Sequence, residues 1–165
     1  MGEDLLESFY NCLKAKNITV ACAESITAGL LASTIASRPG ASLILKGSIV
    51  TYNEDMKTAL LNVESNIIDQ YTAESMEVAV EMAKGLSHVY KAAELYIAVT
   101  GVASKSSPDY PVNKPVGQVF IAIIYKGNLH LFDPVIDGKE RNDIRLNTVY
   151  YIFEKAINIL LSIES

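Results

Sequence analysis

The feature that narrows the fold most is an alternation of periods along the chain. Short apolar, β-branched runs occur at 18–23, 43–52, 95–100, 116–125 and 129–133. Such runs read as strands, the one at 18–23 buried and the one at 116–125 central. Between them, apolar residues recur at helical spacing. Leu5, Leu6, Phe9, Cys12 and Leu13 mark a helix over 3–16. Met76, Ala79, Val80, Ala83, Leu86 and Tyr90 mark one over 73–91, and Val149, Phe153, Ala156, Leu160 and Ile163 mark one beginning near 140. Two shorter helices are predicted. The first opens at Ser25 or Thr27 as N-cap and stops at Pro39-Gly40; the second is capped by Asn53-Glu54-Asp55 and runs to Leu61. Gly47 is a bulge candidate, Lys126-Gly127-Asn128 a hairpin turn, and 101–115 an aperiodic loop. The order α-β-α-β-α-α-β-β-β-α predicts an α/β protein with helices on both faces of a mixed sheet.

Length and composition agree with one domain over residues 1–165. Half of the 165 residues are hydrophobic and 20% are charged, which excludes intrinsic disorder. The net charge is −5 and only three residues are arginine, so a general nucleic-acid surface is excluded. No apolar run approaches the ~18 residues of a membrane span. Two cysteines, Cys12 and Cys22, make no disulfide framework and read as buried free thiols. The acidic start Met1-Gly2-Glu3-Asp4 lacks the basic region of a signal peptide. The expectation is a cytoplasmic protein. Its apolar fraction further predicts a homo-oligomer, a twofold dimer being the commonest kind.

Three segments carry candidate chemistry. Ala23-Glu24-Ser25-Ile26-Thr27-Ala28-Gly29 joins a strand end to a helix start, the usual ligand face of an α/β sheet. Ser25 there can meet an anion or an oxyanion beside unpaired N–H groups; alternatively, Ser25 and Thr27 only cap the helix. Tyr52 ends a strand, and Lys57 stands one turn into the next helix. A desolvated lysine can serve as a base, whereas a solvated one following two acids has no such role. Arg141 and Arg145, four apart near a helix start, form either an anion site or surface pairs with Glu140 and Asp143. His88 and His130 lie apart, and no Cys/His spacing matches a metal-ligand set.

Taken together, these segments resemble the C-terminal domain of the CinA competence/damage-inducible proteins, a family that includes free-standing nicotinamide-nucleotide amidases. The A-E-S-C-T-G-G pattern is matched by Ala23 to Gly29, and G-F-V-T-Y-S-N-E-A-K by Ser48 to Lys57. Glu74-Ser75 through Gly85 follows V-S-x-x-x-A-x-x-M-A-x-G, Lys114 to Val119 keeps K-P-V-G-x-V, and Arg141 and Arg145 match the arginines of G-D-R-x-x-x-R. The resemblance implies a three-layer α/β/α sandwich around a mixed, mostly parallel sheet. It implies hydrolysis of the carboxamide of nicotinamide mononucleotide to nicotinate mononucleotide and ammonia, with no cofactor and no metal. Ser25 is then the nucleophile, Lys57 its general base and Tyr52 a supporting proton-transfer residue. Substrate contacts fall to Glu24, Thr27, Gly29, Gly101, Arg141 and Arg145. Ile26, Ala28 and the segment Ser104-Lys105-Ser106-Ser107-Pro108 depart from the family pattern. Those departures keep a second reading open: a nucleotide-binding or regulatory domain with the same pocket and no efficient chemistry.

Overall fold

The computed structural model describes residues 2–162. Helix α1 spans Gly2–Lys16, strand β1 Val20–Glu24, helix α2 Leu30–Ala36 and strand β2 Leu45–Val50, with a single 3-10 turn at Ala41–Leu43 before β2. Helices α3, α4 and α5 follow at Glu54–Leu61, Ser65–Tyr71 and Met76–Val89. Strands β3, β4 and β5 occupy Leu95–Gly101, Val119–Tyr125 and Asn128–Phe132, and α6 spans Arg141–Ser162. Ile163, assigned to the last helix from periodicity, lies outside the described residues.

The sheet order is β2-β1-β3-β4-β5. β1 pairs in parallel with β2 and with β3, and β4 runs antiparallel to both of its neighbours. Four of the five strands therefore point one way. The Lys126-Gly127 hairpin is present, but β3 and β4 are antiparallel too, joined by the long segment 102–118. The predicted bulge is also present: Val20 faces Leu45 while Ala21 faces Gly47, leaving Lys46 extra.

Side-chain alternation divides the core in two. Val20, Cys22, Ile97, Val99, Ile121 and Ile123 face a layer that includes Phe9, Leu13, Ile152 and Phe153 of α1 and α6. Phe9 and Phe153 stack with ring centroids 4.8 Å apart. On the opposite face the strands present Ala21, Ala23, Ala98 and Ala122 to Val78, Ala79, Met82, Ala83 and Leu86 of α5. Small residues on both sides let α5 settle close to the sheet, as dense interior packing demands. Cys22 is buried in the first layer, and burial followed by the Glu24 charge pushes its thiol well up, so it is inert. Cys12 is only half-buried.

Several elements differ from the sequence expectation. Strand β4 begins at Val119 rather than 116, because Gly117 turns aside to exchange bonds with Val102 and Ile136. Helix α4 was not predicted; its seven residues are too few to show a period. Helix α2 is confined to Leu30–Ala36, for a reason that lies in the site itself.

Helix α5 passes so close to α3 that a Cβ on Gly85 would stand 1.9 Å from the Leu61 carbonyl oxygen. Gly85→Ala is expected to lower stability by about 1–3 kcal/mol, although alanine is intrinsically the better helix former by ~1 kcal/mol. Urea denaturation measures this. A midpoint equal to that of the parent would contradict so close an approach.

Candidate active site

The chain leaves β1 at Glu24, passes through α2 to β2 on one side, and returns through α3–α5 to β3 on the other. Crevices open at the carboxyl ends of strands where the winding reverses in this way. Here the crevice is a cavity of about 570 Å³. It receives Ser25 and Ile26 after β1, Tyr52 to Asp55 after β2, Gly101 to Lys105 after β3, and Arg141 from α6.

The turn after β1 is built on one buried carboxylate. Oε2 of Glu24 accepts from the Thr27 hydroxyl at 2.7 Å, the Gly29 N–H at 2.9 Å and the Leu31 N–H at 3.0 Å. Its Oε1 accepts from the Ala32 N–H at 3.0 Å and the Ser48 hydroxyl at 2.8 Å. Glu24 therefore does what was assigned to Ser25 or Thr27. The N-cap of α2 is Gly29, at φ 90°, with no side-chain cap of its own. Ala28 shares the left-handed region at φ 48°, which is costly for a residue with a Cβ. The start of α2 is thus displaced to Leu30. Glu24 and Thr27 are wholly buried, so they shape the floor of the site from beneath and neither lines the cavity.

Lys57 is only 1% exposed although its helix begins with two acids. The reading of a solvated lysine is thereby corrected. Its Nζ donates to the Thr51 carbonyl at 2.7 Å and to Ser25 Oγ at 3.0 Å. Burial lowers its pKa to about 8, against the upward pull of Glu74 and then Glu54. No arginine contributes to this lowering. Glu54 lines the cavity with Glu74, and Tyr110 Oη lies 2.9 Å from Glu54 Oε1 and 3.0 Å from Glu74 Oε1. The Thr51 Oγ1 is buried without a hydrogen-bond partner.

The two arginines separate. Arg145 donates from Nε to the Ile26 carbonyl at 3.2 Å and from Nη2 to the Thr27 carbonyl at 2.8 Å, pinning the turn from outside the cavity. Arg141 reaches into the cavity and donates to the Ser104 and Tyr52 hydroxyls. Among the described residues neither pairs with Glu140 or Asp143. Asp143 instead accepts from the Lys139 and Glu140 N–H groups at the start of α6. Tyr52 is 57% exposed and bonds to Arg141, not to the Ser25–Lys57 pair. Gly101 lines the cavity, while Gly29 serves the turn. Among the described residues no group of three His, Cys, Asp or Glu side chains could hold a metal ion.

Tyr110 and Glu74 are among the pocket residues that sequence reasoning left without a role. Tyr110 lies in the aperiodic loop, where nothing marks it. Glu74 precedes Ser75, the N-cap of α5, so only the cap signal hinted at its place.

A profile of the CinA C-terminal domain matches residues 2–160. The chain belongs to that family. A CinA-like protein of Petrotoga mobilis is 32% identical over 153 residues, covering 93% of this chain and 37% of that protein. A putative competence-damage inducible protein of Clostridium botulinum (strain Loch Maree / Type A3) is 39% identical over 127 residues, 76% of this chain and 30% of that protein. The chain thus spans only about a third of the length of these curated relatives. A solved CinA superfamily protein from Klebsiella pneumoniae 700603 superposes with a TM-score of 0.90 at 21% identity, covering 98% of this chain and 99% of that one. The competence/damage inducible protein CihA from Agrobacterium tumefaciens gives 0.83 at 30% identity, covering 95% of both chains. The first likeness shows the fold alone, and that fold is the three-layer α/β/α arrangement. No helix among the described residues is long and apolar enough to cross a membrane.

Because five donors converge on Glu24, Glu24→Gln leaves at least one buried donor facing an NH₂ group. A loss of about 1–3 kcal/mol is expected. The denaturation midpoint reads it, and an unchanged midpoint would remove Glu24 as the organiser of the turn.

Proposed function

We propose that the protein is an amidohydrolase that converts nicotinamide mononucleotide to nicotinate mononucleotide and ammonia through a Ser25–Lys57 pair. The observation that carries this reading is the 3.0 Å contact between Lys57 Nζ and Ser25 Oγ in a buried setting at the cavity wall. A neutral lysine keeps two hydrogens and one lone pair. It can hold the Thr51 carbonyl with one hydrogen and take the Ser25 proton with the lone pair. Pairing of a nucleophile with a base in this way needs no histidine.

In the proposed reaction Ser25 Oγ attacks the carboxamide carbon while Lys57 accepts its proton. Negative charge gathers on the carbonyl oxygen. The first-turn N–H groups of α2 that could meet it are already taken by Glu24. Among the described residues the Ile26 and Thr27 N–H groups meet no acceptor within the chain, so they are the donors proposed for the oxyanion. Lys57 then returns the proton to the nitrogen, the C–N bond breaks and ammonia leaves. A water, deprotonated by the same lysine, hydrolyses the Ser25 ester and releases the carboxylate. Arg141, the arginine inside the cavity, is proposed to hold the phosphate, and Arg145 to keep the Ser25 turn in place. Tyr52 acts by orienting Arg141, in place of the direct proton transfer first expected of it.

Three measurements test this reading. Ser25→Ala is expected to abolish ammonia release from the mononucleotide in the presence of EDTA. Equal release by both proteins would sink the proposal. Lys57→Met and Lys57→Arg should each lose about 10²–10⁴-fold in kcat, since a guanidinium stays protonated at working pH. Retention of activity within a few-fold by Lys57→Arg would reassign Lys57 as an electrostatic contact. The pH dependence follows from the same group. The base works neutral and its pKa lies at about 8, so kcat/KM should rise roughly tenfold per unit below that value and level off above it. A profile flat from pH 6 to 9 would exclude Lys57 as the titrating base.

Self-association belongs with this proposal. The edge strand β5 exposes Leu129 and Leu131, and Val135 beyond it is 57% exposed. A twofold dimer covering such residues is expected. Sedimentation showing only an 18.0 kDa species at micromolar concentration would refute it.

A further inference from the structure

The cavity wall holds an electrostatic arrangement that the Ser25–Lys57 chemistry leaves unused. Glu54 and Glu74 both stand at hydrogen-bond distance from the single hydroxyl of Tyr110, at 2.9 and 3.0 Å. A phenol has one hydrogen. It can donate to one carboxylate at a time, and the other then faces an oxygen lone pair. Both acids are half-buried and line the cavity. Among the described residues neither forms an ion pair. The cations that line the same cavity are Lys105 and Arg141, and the Arg141 guanidinium is engaged with Ser104 and Tyr52. The pocket therefore carries an anionic cluster with one donor too few, and a separate cationic group elsewhere on its wall.

We infer that Glu54 and Glu74, bridged by Tyr110, form a cation subsite that selects a positively charged aromatic ring joined to an anionic arm. This deepens the amidohydrolase reading and rests on it for the identity of the ring. A carboxamide-bearing pyridine acquires its positive charge when its nitrogen is ribosylated. The free base and the 1,4-dihydro form are uncharged. Two carboxylates stabilise the ring cation directly. The phosphate then falls to Arg141. The geometry also links recognition to the base. The same two carboxylates hold the Lys57 proton on, against burial. A ring cation seated between them offsets their charge, so Lys57 gives up its proton more readily in the complex than in the free protein.

The test is binding to the Ser25→Ala protein, which removes turnover from the measurement. Calorimetry compares nicotinamide mononucleotide with its 1,4-dihydro form, which has the same carboxamide and phosphate and an uncharged ring. The oxidised form is expected to bind at least about tenfold more tightly. Adding Glu54→Gln and Glu74→Gln should bring the ratio within about threefold, through weaker binding of the oxidised form with the affinity for the dihydro form unchanged. That unchanged affinity also reports an intact fold. If the combined variant does not fold, Glu74→Gln alone in the Ser25→Ala background should lower the ratio at least about threefold, and no change would overturn the inference. Equal affinities in the Ser25→Ala protein overturn it, as does equal weakening of both ligands by the glutamine substitutions. Ammonia release by the parent with equal affinities would reject the subsite and leave the amidohydrolase reading standing. Preferential binding without ammonia release would do the reverse, and no binding of either form would reject both.

Discussion

The Glu24 carboxylate is the point from which the rest of the site is positioned. It lies at the end of the strand that pairs with both β2 and β3, and it is fully buried. A buried charge is tolerable only when hydrogen bonds replace its lost hydration. Five donors from three places do so: Thr27 and Gly29 in the turn, Leu31 and Ala32 in α2, and Ser48 in β2. One group thereby locks a turn, a helix and a neighbouring strand to each other. Ser25 is held at the cavity as a consequence, with its N–H on the Val99 carbonyl of β3 at 3.0 Å. Arg145 closes the turn from the opposite side through the Ile26 and Thr27 carbonyls.

Lys57 presents the complementary problem. Its ammonium is buried against a carbonyl and a hydroxyl, with no carboxylate bonded to it. Desolvation favours the neutral amine, and Glu74 and Glu54 at longer range favour the charged one. The balance leaves the amine near its titration point at neutral to mildly basic pH. A group so poised changes its charge readily when the charges around it change. In the proposed reaction, nucleophile, base and ligand are coupled through electrostatics, without any movement of the backbone being required.

The layer structure explains how the two sides of the site are positioned. Alanines on one face of β1, β3 and β4 let α5 lie close, and α5 in turn carries Glu74 at its entrance and buttresses α3 through Gly85. Lys57 is on α3, so the packing of α5 sets how deeply the lysine is sunk. The opposite layer, with α1 and α6 joined by Phe9 and Phe153, delivers Arg141 and Arg145 at the start of α6. Each half of the core thus supplies one side of the cavity.

Much of the fold was legible from local sequence. Strands as apolar as β1 and β4 have one destination, the middle of a sheet, and helices such as α1 and α5 show their buried faces as a period. Ser25, Tyr52 and Lys57 could be singled out because they sit at strand–helix junctions and because the flanking patterns resemble those of the CinA C-terminal domain. The tertiary structure alone decided how these residues are placed against one another. Whether Lys57 is solvated or buried depends on α5 and on Thr51, neither of which its neighbours in sequence reveal. The N-cap was misassigned to Ser25 or Thr27 because a carboxylate several residues upstream satisfies the helix start by folding back on it. The β3–β4 pairing and the place of Tyr110 were illegible because segment 102–118 has no period. The long-range contacts to Glu54 and Glu74 exist only once the sheet brings its carboxyl ends together. Local periodicity encodes which surfaces must be buried; the charges that a cavity gathers are set by residues far apart in the chain, whose mutual distances only the closed fold defines.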